Sequence, residues 1–493
     1  MKRRADPPMP NTFASLMLLT WPFVCLVLFK RLPLERALIW CILGGYLLLP
    51  PKAAFDFPLV PAMDKTSLPN ICAFLFVVVM LRRKVSFWPE SWNARALVLL
   101  FLVGVIPTVL SNGEPVTYSD PGTSAHGFTI AGATIHDLLS VAVDKIIVLL
   151  PFFLGRQLLA SETGQREILR ALMVGGLIYS LPALLEVRLS PQLNIWIYGF
   201  FQHDFEQMMR GGGFRPIVFL PHALWLALFM LFALLSTAAL ARRAANAEQV
   251  KLILATVYLV GVLYLCKSLA TQLYAIAFLP VVVLSDARTQ LRLTALLALI
   301  AITYPILRNT GMIPLDTILE RASAIDPDRA SSLAYRFNNE QILLDRAQEK
   351  PWFGWAGWGR NLLFDPSSGQ ILTVPDGRWI IVFGVYGWVG YIAEMGLLAL
   401  PLLLLWRVTR KGLPERFSPY ANTVAVILAV NMIDMLLNAT LIPLTWLCTG
   451  ALLGYAEKLG RKPRFSSTGP SPLFGKGPVI GGRRNSKRPR TTI

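Results

Sequence analysis

The sequence predicts an all-α polytopic membrane protein with a large, partly helical external loop. Of its 493 residues, 54% are hydrophobic and only 15% are charged, whereas soluble domains carry roughly 25% charged residues. Long uncharged runs, such as residues 217–240 and 380–393, recur along most of the chain and exceed the short apolar runs of soluble folds. A soluble enzyme, a collagen-like fibre and a disordered chain are therefore excluded.

The candidate membrane spans follow from the length that a helix needs to cross a bilayer, about 20 residues. Apolar segments that meet or approach this length lie at residues 12–29, 36–50, 69–81, 94–110, 138–155, 171–187, 216–241, 251–266, 269–285, 293–307, 379–406, 420–437 and 440–456. Basic clusters alternate with basic-poor loops, and the positive-inside rule places the basic side in the cytoplasm. We expect about twelve crossings with both chain ends cytoplasmic, so that the first segment is re-entrant at Pro22 or one short segment does not cross.

This topology divides the chain into five parts. A cytoplasmic segment, residues 1–11, precedes transmembrane helices over residues 12–307, which include external loops 111–137 and 188–215. Residues 308–378 form the large external loop, and residues 379–456 the C-terminal transmembrane helices. The tail, residues 457–493, supplies much of the net charge of +18 and is rich in Pro, Gly and Ser. We interpret it as a disordered segment at the surface of anionic lipid, since no fold signal for nucleic-acid binding accompanies it.

The large external loop is too long for a structureless connection, so we expect it to fold and to carry function. Asp326-Pro327 is a strong helix start, with Asp as the N-cap and Pro at the first helical position. The helix should run to about Gln348, before Pro351. A shorter helix precedes it, with Leu315, Ile318, Leu319 and Ala322 on one face.

The motifs of several enzyme classes are missing, and no metal or other cofactor is expected. The chain has no HExxH, GxSxG or P-loop pattern. Asp326-Pro-Asp328 resembles the metal-binding DxD of nucleotide-sugar transferases, but helix capping explains it better. The histidines, at positions 126, 136, 203 and 222, show no ligand spacing.

Two external segments combine arginine with glycine. The first is Arg210-Gly-Gly-Gly-Phe-Arg215, directly before the span that starts at Ile217. Backbone amides and guanidinium groups can approach one anion together there, and Arg suits bidentate phosphate contact. The alternative is interfacial arginine beside a flexible hinge.

The second segment joins Arg336, on the predicted helix, to Pro351-Trp-Phe-Gly354-Trp-Ala-Gly357-Trp-Gly359-Arg360. Glycines allow close backbone approach, and tryptophan suits both sugar stacking and the membrane interface. Trp355, Trp358 and Arg360 are therefore candidate substrate-binding residues. The alternative is a tight turn with interfacial aromatic side chains.

Acidic and other charged residues near the outer ends of spans complete the candidates. Asp376 directly precedes a glycine-rich span, where a carboxylate can act as a general base, orient an arginine or cap the helix. Glu186 and Asp434 are the next candidates for the base, and Lys267 marks the outer end of a helical hairpin. Charged residues within spans are functional candidates by default, but Glu394 lies nearer the inner half and is interpreted as structural.

The pattern from Arg336 through the Pro-Trp-Phe-Gly-Trp-Ala-Gly-Trp-Gly motif to Asp376-Gly377 and the glycine-rich span resembles the large-loop signature of the O-antigen ligase and polysaccharide polymerase superfamily. The resemblance implies a GT-C-like, metal-independent membrane glycosyltransferase in the bacterial inner membrane, with its site facing the periplasm. It implies transfer of a glycan from an undecaprenyl-diphosphate carrier to a glycan or lipid-linked acceptor. Arg210, Arg215 and Arg336 would hold the diphosphate leaving group.

One departure and two rival functions remain. Ligases of this superfamily place a histidine at the start of the post-loop motif, where this chain has Asp376, which favours a polymerase-like or exopolysaccharide role. A lipid-linked glycan flippase should carry charges through the bilayer and repeat halves, and no repeat is visible. A non-catalytic assembly subunit should tolerate loss of the outer arginines.

Overall fold

The computed structural model describes residues 10–57, 60–118, 128–410, 412 and 417–461. The protein is mostly helical, with 70% helix and 4% strand. Eight of the described helices are long and apolar enough to cross a membrane, and three shorter apolar helices lie at Ser67–Met80, Leu269–Leu284 and Ala421–Leu437. The prediction of an α-helical protein with many membrane-length apolar helices is confirmed to this extent, while the number of crossings stays a prediction.

Short connections join many of the helices, while several longer connections contain β-hairpins or, after Asn309, two further helices. The helices are α1 Thr12–Arg31, α2 Leu34–Leu48, α3 Ser67–Leu75 with a π-helical turn Phe76–Met80, α4 Trp92–Val103, α5 Val105–Leu110, α6 Ile135–Leu158, α7 Glu162–Leu189, α8 Leu193–Tyr198, α9 Ala223–Ala241, α10 Asn246–Leu265, α11 Leu269–Leu284, α12 Ala287–Asn309, α13 Leu315–Ile325, α14 Pro327–Gln348, α15 Arg378–Thr409, α16 Ala421–Leu437 and α17 Pro443–Gly460. Three antiparallel hairpins lie in the connections: β1 Phe55–Phe57 with β2 Val60–Met63, β3 Val116–Tyr118 with β4 Phe128–Ile130, and β5 Met209–Arg210 with β6 Gly213–Phe214.

The helices form one bundle with two distinct ends. At the end that we call the basic end, Arg36 pairs with Glu167 and Arg156 with Glu457. At the opposite end, which we call the loop end, the hydroxyl of Tyr198 donates to the carbonyl of Leu48. The core between them is mostly apolar, although it contains buried charged side chains such as Lys145, Glu394 and Asp434. Of the eight membrane-length helices, α9 is the most enclosed, because nearly all of its side chains are buried.

The first helix differs from the prediction. The backbone N–H of Asn11 donates to Tyr198 O at 2.9 Å, and its side-chain amide donates to Ile197 O at 3.0 Å. The start of α1 therefore lies at the loop end, while α17 ends at the basic end, where Lys458 donates to Ala160 O. The first segment crosses the bundle, and the expectation that both termini leave on one side does not fit these contacts. Residues 1–9 and 462–493 lie outside the described residues.

The loop between α12 and α15 agrees with its predicted helices. The helix α14 begins at Pro327 and ends at Gln348, and the shorter helix α13 precedes it. Leu343 and Leu344 are buried, at 3% and 2% exposed. The two helices pack on each other, so this loop is a folded cap, as its length indicated.

Helix α15 is broken at Gly387, where the backbone is non-helical at φ 62° and ψ −161°. Arg378, at the start of the helix, donates from Nε and Nη2 to the two carboxylate oxygens of Glu394 at 2.6 and 2.8 Å. These residues are 16 positions apart, and a straight helix would separate their Cα atoms by about 24 Å. The break therefore folds the first half of α15 back toward the second half. The buried Glu394 carboxylate stabilises this bend, which agrees with its structural interpretation.

The tryptophan-rich segment of the cap fills this break. The N–H groups of Trp355 and Ala356 donate to the carbonyls of Gly384 and Val385, at 2.9 Å each. In the other direction, the N–H groups of Trp388 and Val389 donate to Pro351 and Trp352 carbonyls at 2.8 and 3.2 Å. A helix end leaves such groups without intrahelical partners. Residues 351–356 therefore satisfy both ends that the break creates.

The first prediction concerns the glycine that allows this contact. Gly354 has φ +68°, and a Cβ there would lie 2.5 Å from the carbonyl carbon and oxygen of Val385. Left-handed strain together with overpacking costs about 2–5 kcal/mol. We expect Gly354→Ala to lower the melting temperature of the purified protein in detergent, or its yield.

Gly357→Ala is the matched control, because a Cβ at Gly357 meets nothing within 4 Å. The insertion of residues 351–356 into the helix break would be contradicted if the two variants were equally stable.

Candidate anion-binding site at the loop end

Arg336 lies at the centre of the site, on the third turn of α14, and its side chain reaches the bundle. Its Nη1 donates to the carbonyl of Leu437 at 3.2 Å and to Asn438 Oδ1 at 3.1 Å. Its Nε lies 3.5 Å from Asp376 Oδ2, and the two side chains are 29% and 34% exposed. The guanidinium is therefore positioned by three partners while part of it remains accessible to a ligand.

Asp376 stands beside this guanidinium, just before α15 begins. Partial burial raises the pKa of the Asp376 carboxyl, and the positive charge of Arg336 opposes that shift. A general base works best when its pKa lies near the working pH. The raised pKa thus favours proton acceptance by Asp376 more than an exposed carboxylate would allow.

Asp434 is a weaker candidate for the general base, because both of its carboxylate oxygens already accept hydrogen bonds. Its Oδ1 accepts from the side-chain amide of Asn438 at 2.9 Å, and its Oδ2 accepts from the hydroxyl of Thr440 at 2.6 Å. Asp434 is 2% exposed. It orients Asn438, which in turn contacts Arg336, so it acts on the site through another residue.

Glu186 also has a structural task. Its Oε2 accepts from the backbone N–H groups of Ile217 and Val218 at 2.8 and 2.7 Å, and its Oε1 accepts from Leu193 N at 3.0 Å. Both carboxylate oxygens are thus engaged by backbone donors. Glu186 fixes the non-helical segment that connects Arg215 to α9, which makes it a poor candidate for the base.

Other buried side chains hold the same segment. Tyr179 accepts from Phe219 N at 3.0 Å, and the buried Lys65 donates to Phe219 O at 2.8 Å. Gln202 donates to Val218 O at 2.8 Å. Irregular backbone in an apolar interior must find such partners. Arg215, which is 4% exposed, is therefore attached to a rigid support.

Two histidines lie beside the arginines, although their sequence spacing gave no indication of it. The His203 and His222 rings meet edge to face, with centroids 4.3 Å apart. Burial, followed by the positive charges of His203, Arg215 and Arg336, lowers the pKa of His222 to about 3. Its Nδ1 accepts from Leu224 N at 3.0 Å and so caps α9. His222 is therefore neutral at pH 7, and it lies in the field of both arginines.

Arg210 lies on the hairpin of β5 and β6. The turn residues Gly211 and Gly212 have φ of +54° and +68°, as a two-residue hairpin turn requires. Lys267 donates from Nζ to the carbonyls of Arg210 and Gly211 at 2.9 and 3.1 Å. Lys267 thus anchors this hairpin to the α10–α11 connection, and the Arg210 side chain is exposed.

In the tryptophan-rich segment, the polar groups of Arg360 and Trp355 are already bound to other parts of the protein. Arg360 is 2% exposed and donates to the carbonyls of Ala131 and Glu114 at 2.7 and 2.8 Å. Trp355 donates to Arg346 O at 2.7 Å, and the Arg346 guanidinium lies 3.4 Å from its ring centroid. These contacts favour structural roles for Arg360 and Trp355. Trp358, at 53% exposed, still offers an open ring face.

The structure therefore gathers part of the predicted set. Arg336 contacts Asn438 and Asp376, and the charges of Arg215 and Arg336 both act on His222. Sequence reasoning had not placed His222 or Asn438 in the site. The backbone carbonyl of Arg210 is held by Lys267, and Arg360 is part of the support. Among the described residues, no group of three or more His, Cys, Asp or Glu side chains could hold a metal ion.

Comparison with known proteins does not assign a function to this site. No protein-family model matches the chain, and no curated protein matches its sequence. The arrangement of the loop-end side chains must therefore carry the functional argument.

Proposed function

We propose that the protein is a membrane glycosyltransferase that takes a glycan from an undecaprenyl-diphosphate carrier and transfers or polymerises it. The observations that support this proposal are that the charges of Arg215 and Arg336 both act on His222, and that Arg336 lies 3.5 Å from the partly buried Asp376. The two guanidinium groups can stabilise the anionic leaving group, and the carboxylate can accept the proton of the acceptor hydroxyl. The resemblance to the O-antigen ligase and polysaccharide polymerase superfamily points to the same chemistry.

The proposed reaction balances without a metal. An acceptor hydroxyl oxygen forms a bond to the anomeric carbon of the donor, and the bond from that carbon to the diphosphate oxygen breaks. The diphosphate leaves with the bonding electrons, and the hydroxyl proton passes to Asp376. Preorganised cationic donors stabilise the charge that develops on the leaving oxygen, which is usually the largest contribution to such catalysis.

The roles of the individual residues follow from their surroundings. Arg215 and Arg336 bind the diphosphate, since a guanidinium offers two parallel donors to phosphate oxygens. Asn438 orients Arg336, and Asp434 orients Asn438. Trp358 is exposed for stacking on a sugar ring. Arg210, at the tip of the neighbouring hairpin, is proposed to reach the donor from outside this cluster.

The proposed acceptor is a glycan or a lipid-linked glycan, and Asp376 favours a polymerase-like role over a ligase. Surrounding membrane lipid is the remaining partner, and no nucleic acid is proposed. We place the protein in the bacterial inner membrane with the loop end toward the periplasm, because the basic end carries the positive clusters that favour the cytoplasm.

This orientation is open to direct measurement. Single cysteines at Ser367 and Thr12 should react with an impermeant maleimide in intact spheroplasts, because Thr12 begins α1 at the loop end. A cysteine at Lys84, beside the basic end, should react only after lysis. The reverse labelling pattern would contradict the periplasmic site, and opposite labelling of Ser367 and Thr12 would contradict the path of α1.

The role of the two arginines can be tested by measuring turnover of lipid-linked glycan by the purified protein, in buffer that contains EDTA. Arg336→Ala and Arg215→Ala should each lower turnover about 10²–10³-fold, the usual effect of removing one donor to a developing oxyanion. Arg→Lys should restore little, because a point charge loses the two-pronged contact.

Arg188→Ala is the control, since Arg188 is an exposed arginine at the end of α7. Diphosphate binding by the arginine pair is wrong if Lys restores full turnover at both positions. Loss of activity in EDTA with recovery in Mg²⁺ would contradict the metal-independent mechanism.

An Asp376 variant distinguishes a general base from a residue that only orients Arg336. Asp376→Asn retains shape and a hydrogen bond to Arg336 but cannot take a proton, so turnover should fall about 10²–10⁴-fold while the donor still binds. Measurement of donor binding and turnover on the same sample distinguishes the outcomes. Loss of binding would instead show that Asp376 orients Arg336.

A further inference from the structure

The basic end of the bundle contains a second cationic cavity, far from the loop-end site. A cavity of about 150 Å³ opens between α7, α9 and α10. Its polar lining consists of the arginines at 166, 170 and 243, with Glu248 as the acid and Tyr420 at one wall. The apolar residues Met173, Leu240 and Leu252 complete the lining. Three guanidinium groups around one cavity suit a ligand with several anionic oxygens.

The arginines retain positive charge that the neighbouring acids do not balance. Glu167 accepts from Arg36 at 2.6 Å and from Arg170 at 3.0 Å, so one carboxylate serves two arginines. Arg166 lies 6.0 Å from the ring centroid of Tyr420. Its Nε is buried and has no hydrogen-bond acceptor within the described part of the chain. A buried donor without a partner is costly, and an anion in the cavity would supply the missing acceptor.

An apolar path continues from this cavity. An adjoining cavity of about 490 Å³ shares Arg170 and Met173 with the first one. Leu32, Trp40 and Val174 also line this adjoining cavity. From Val174, an exposed apolar stripe follows α7 through Ile178, Leu181 and Leu185, which are spaced to lie on one helix face.

We propose that the cavity lined by Arg166, Arg170 and Arg243 binds the phosphate of an anionic glycerophospholipid, whose acyl chains lie along this face of α7. A soluble phosphate would explain the arginines but not the adjoining apolar cavity and stripe. Basic recesses between helices at the cytoplasmic side of membrane proteins are suited to such headgroups. The proposal is independent of the reaction at the loop end.

The test measures lipid binding by native mass spectrometry on the full-length protein. The probes are phosphatidylglycerol and cardiolipin, with phosphatidylcholine as the zwitterionic comparison. Each of Arg166→Gln, Arg170→Gln and Arg243→Gln should weaken binding of the anionic probes about fivefold, and the triple variant about 100-fold. Phosphatidylcholine should bind weakly to all of these proteins.

Arg83→Gln is the matched control, because Arg83 is an exposed arginine near the same end that does not line the cavity. It should bind the anionic probes as the unmodified protein does. Equal weakening by Arg83→Gln would show non-specific attraction and overturn the proposal. Equal affinity for phosphatidylcholine, or displacement of the lipid by millimolar inorganic phosphate, would overturn it as well.

Loss of the fold must be distinguished from loss of the binding site. A melting curve in detergent accompanies every variant. Arg243 is exposed on the α9–α10 connection, so Arg243→Gln should keep the melting temperature of the unmodified protein. If this variant melts normally and still binds phosphatidylglycerol at full affinity, the assigned cavity is wrong.

Discussion

The break in α15 at Gly387 is the constraint on which the rest of the loop end depends. A helix interrupted inside an apolar bundle exposes backbone N–H and carbonyl groups that must find partners. Residues 351–356 supply those partners on both sides of the break. The cap is thereby tied into the bundle by backbone hydrogen bonds. Because the backbone makes these bonds, many residue types would be tolerated at most of these positions. Gly354 and Gly387 are exceptions, since a Cβ at either would clash with backbone atoms.

The positions of the site residues depend on this attachment of residues 351–356 to the bundle. Helix α14 ends shortly before Pro351, so anchoring residues 351–356 also fixes the helix that carries Arg336. The folded-back start of α15 brings Asp376 and Gly377 against the end of α16, where a Cβ at Gly377 would lie 2.4 Å from Leu436 O. The segment that follows Arg215 is held separately, by Glu186 on α7. Fixed cations of this kind need little reorganisation when negative charge develops.

The sequence was informative wherever local signals decide the structure. Asp326-Pro327 and Pro351 mark the start and the stop of α14, and apolar length marks the membrane helices. The surroundings of several candidate residues depend on partners distant along the chain. Arg360 contacts backbone carbonyls more than 200 positions away, and Glu186 binds N–H groups about 30 positions away. His222 gave no signal because the charges that act on it, those of His203, Arg215 and Arg336, come from separate parts of the chain. The expectation that both termini lie on one side does not fit the contact of Asn11 with residues 197 and 198, which charge statistics cannot register.

The central claim is that Arg215 and Arg336 together hold a lipid diphosphate. Its most direct test is a cryo-electron microscopy map of the protein with undecaprenyl diphosphate, the leaving group of the proposed reaction. The account predicts diphosphate density within hydrogen-bond distance of both guanidinium groups, next to Asp376. Density at another position, with Arg215 and Arg336 still bound only to protein groups, would contradict it.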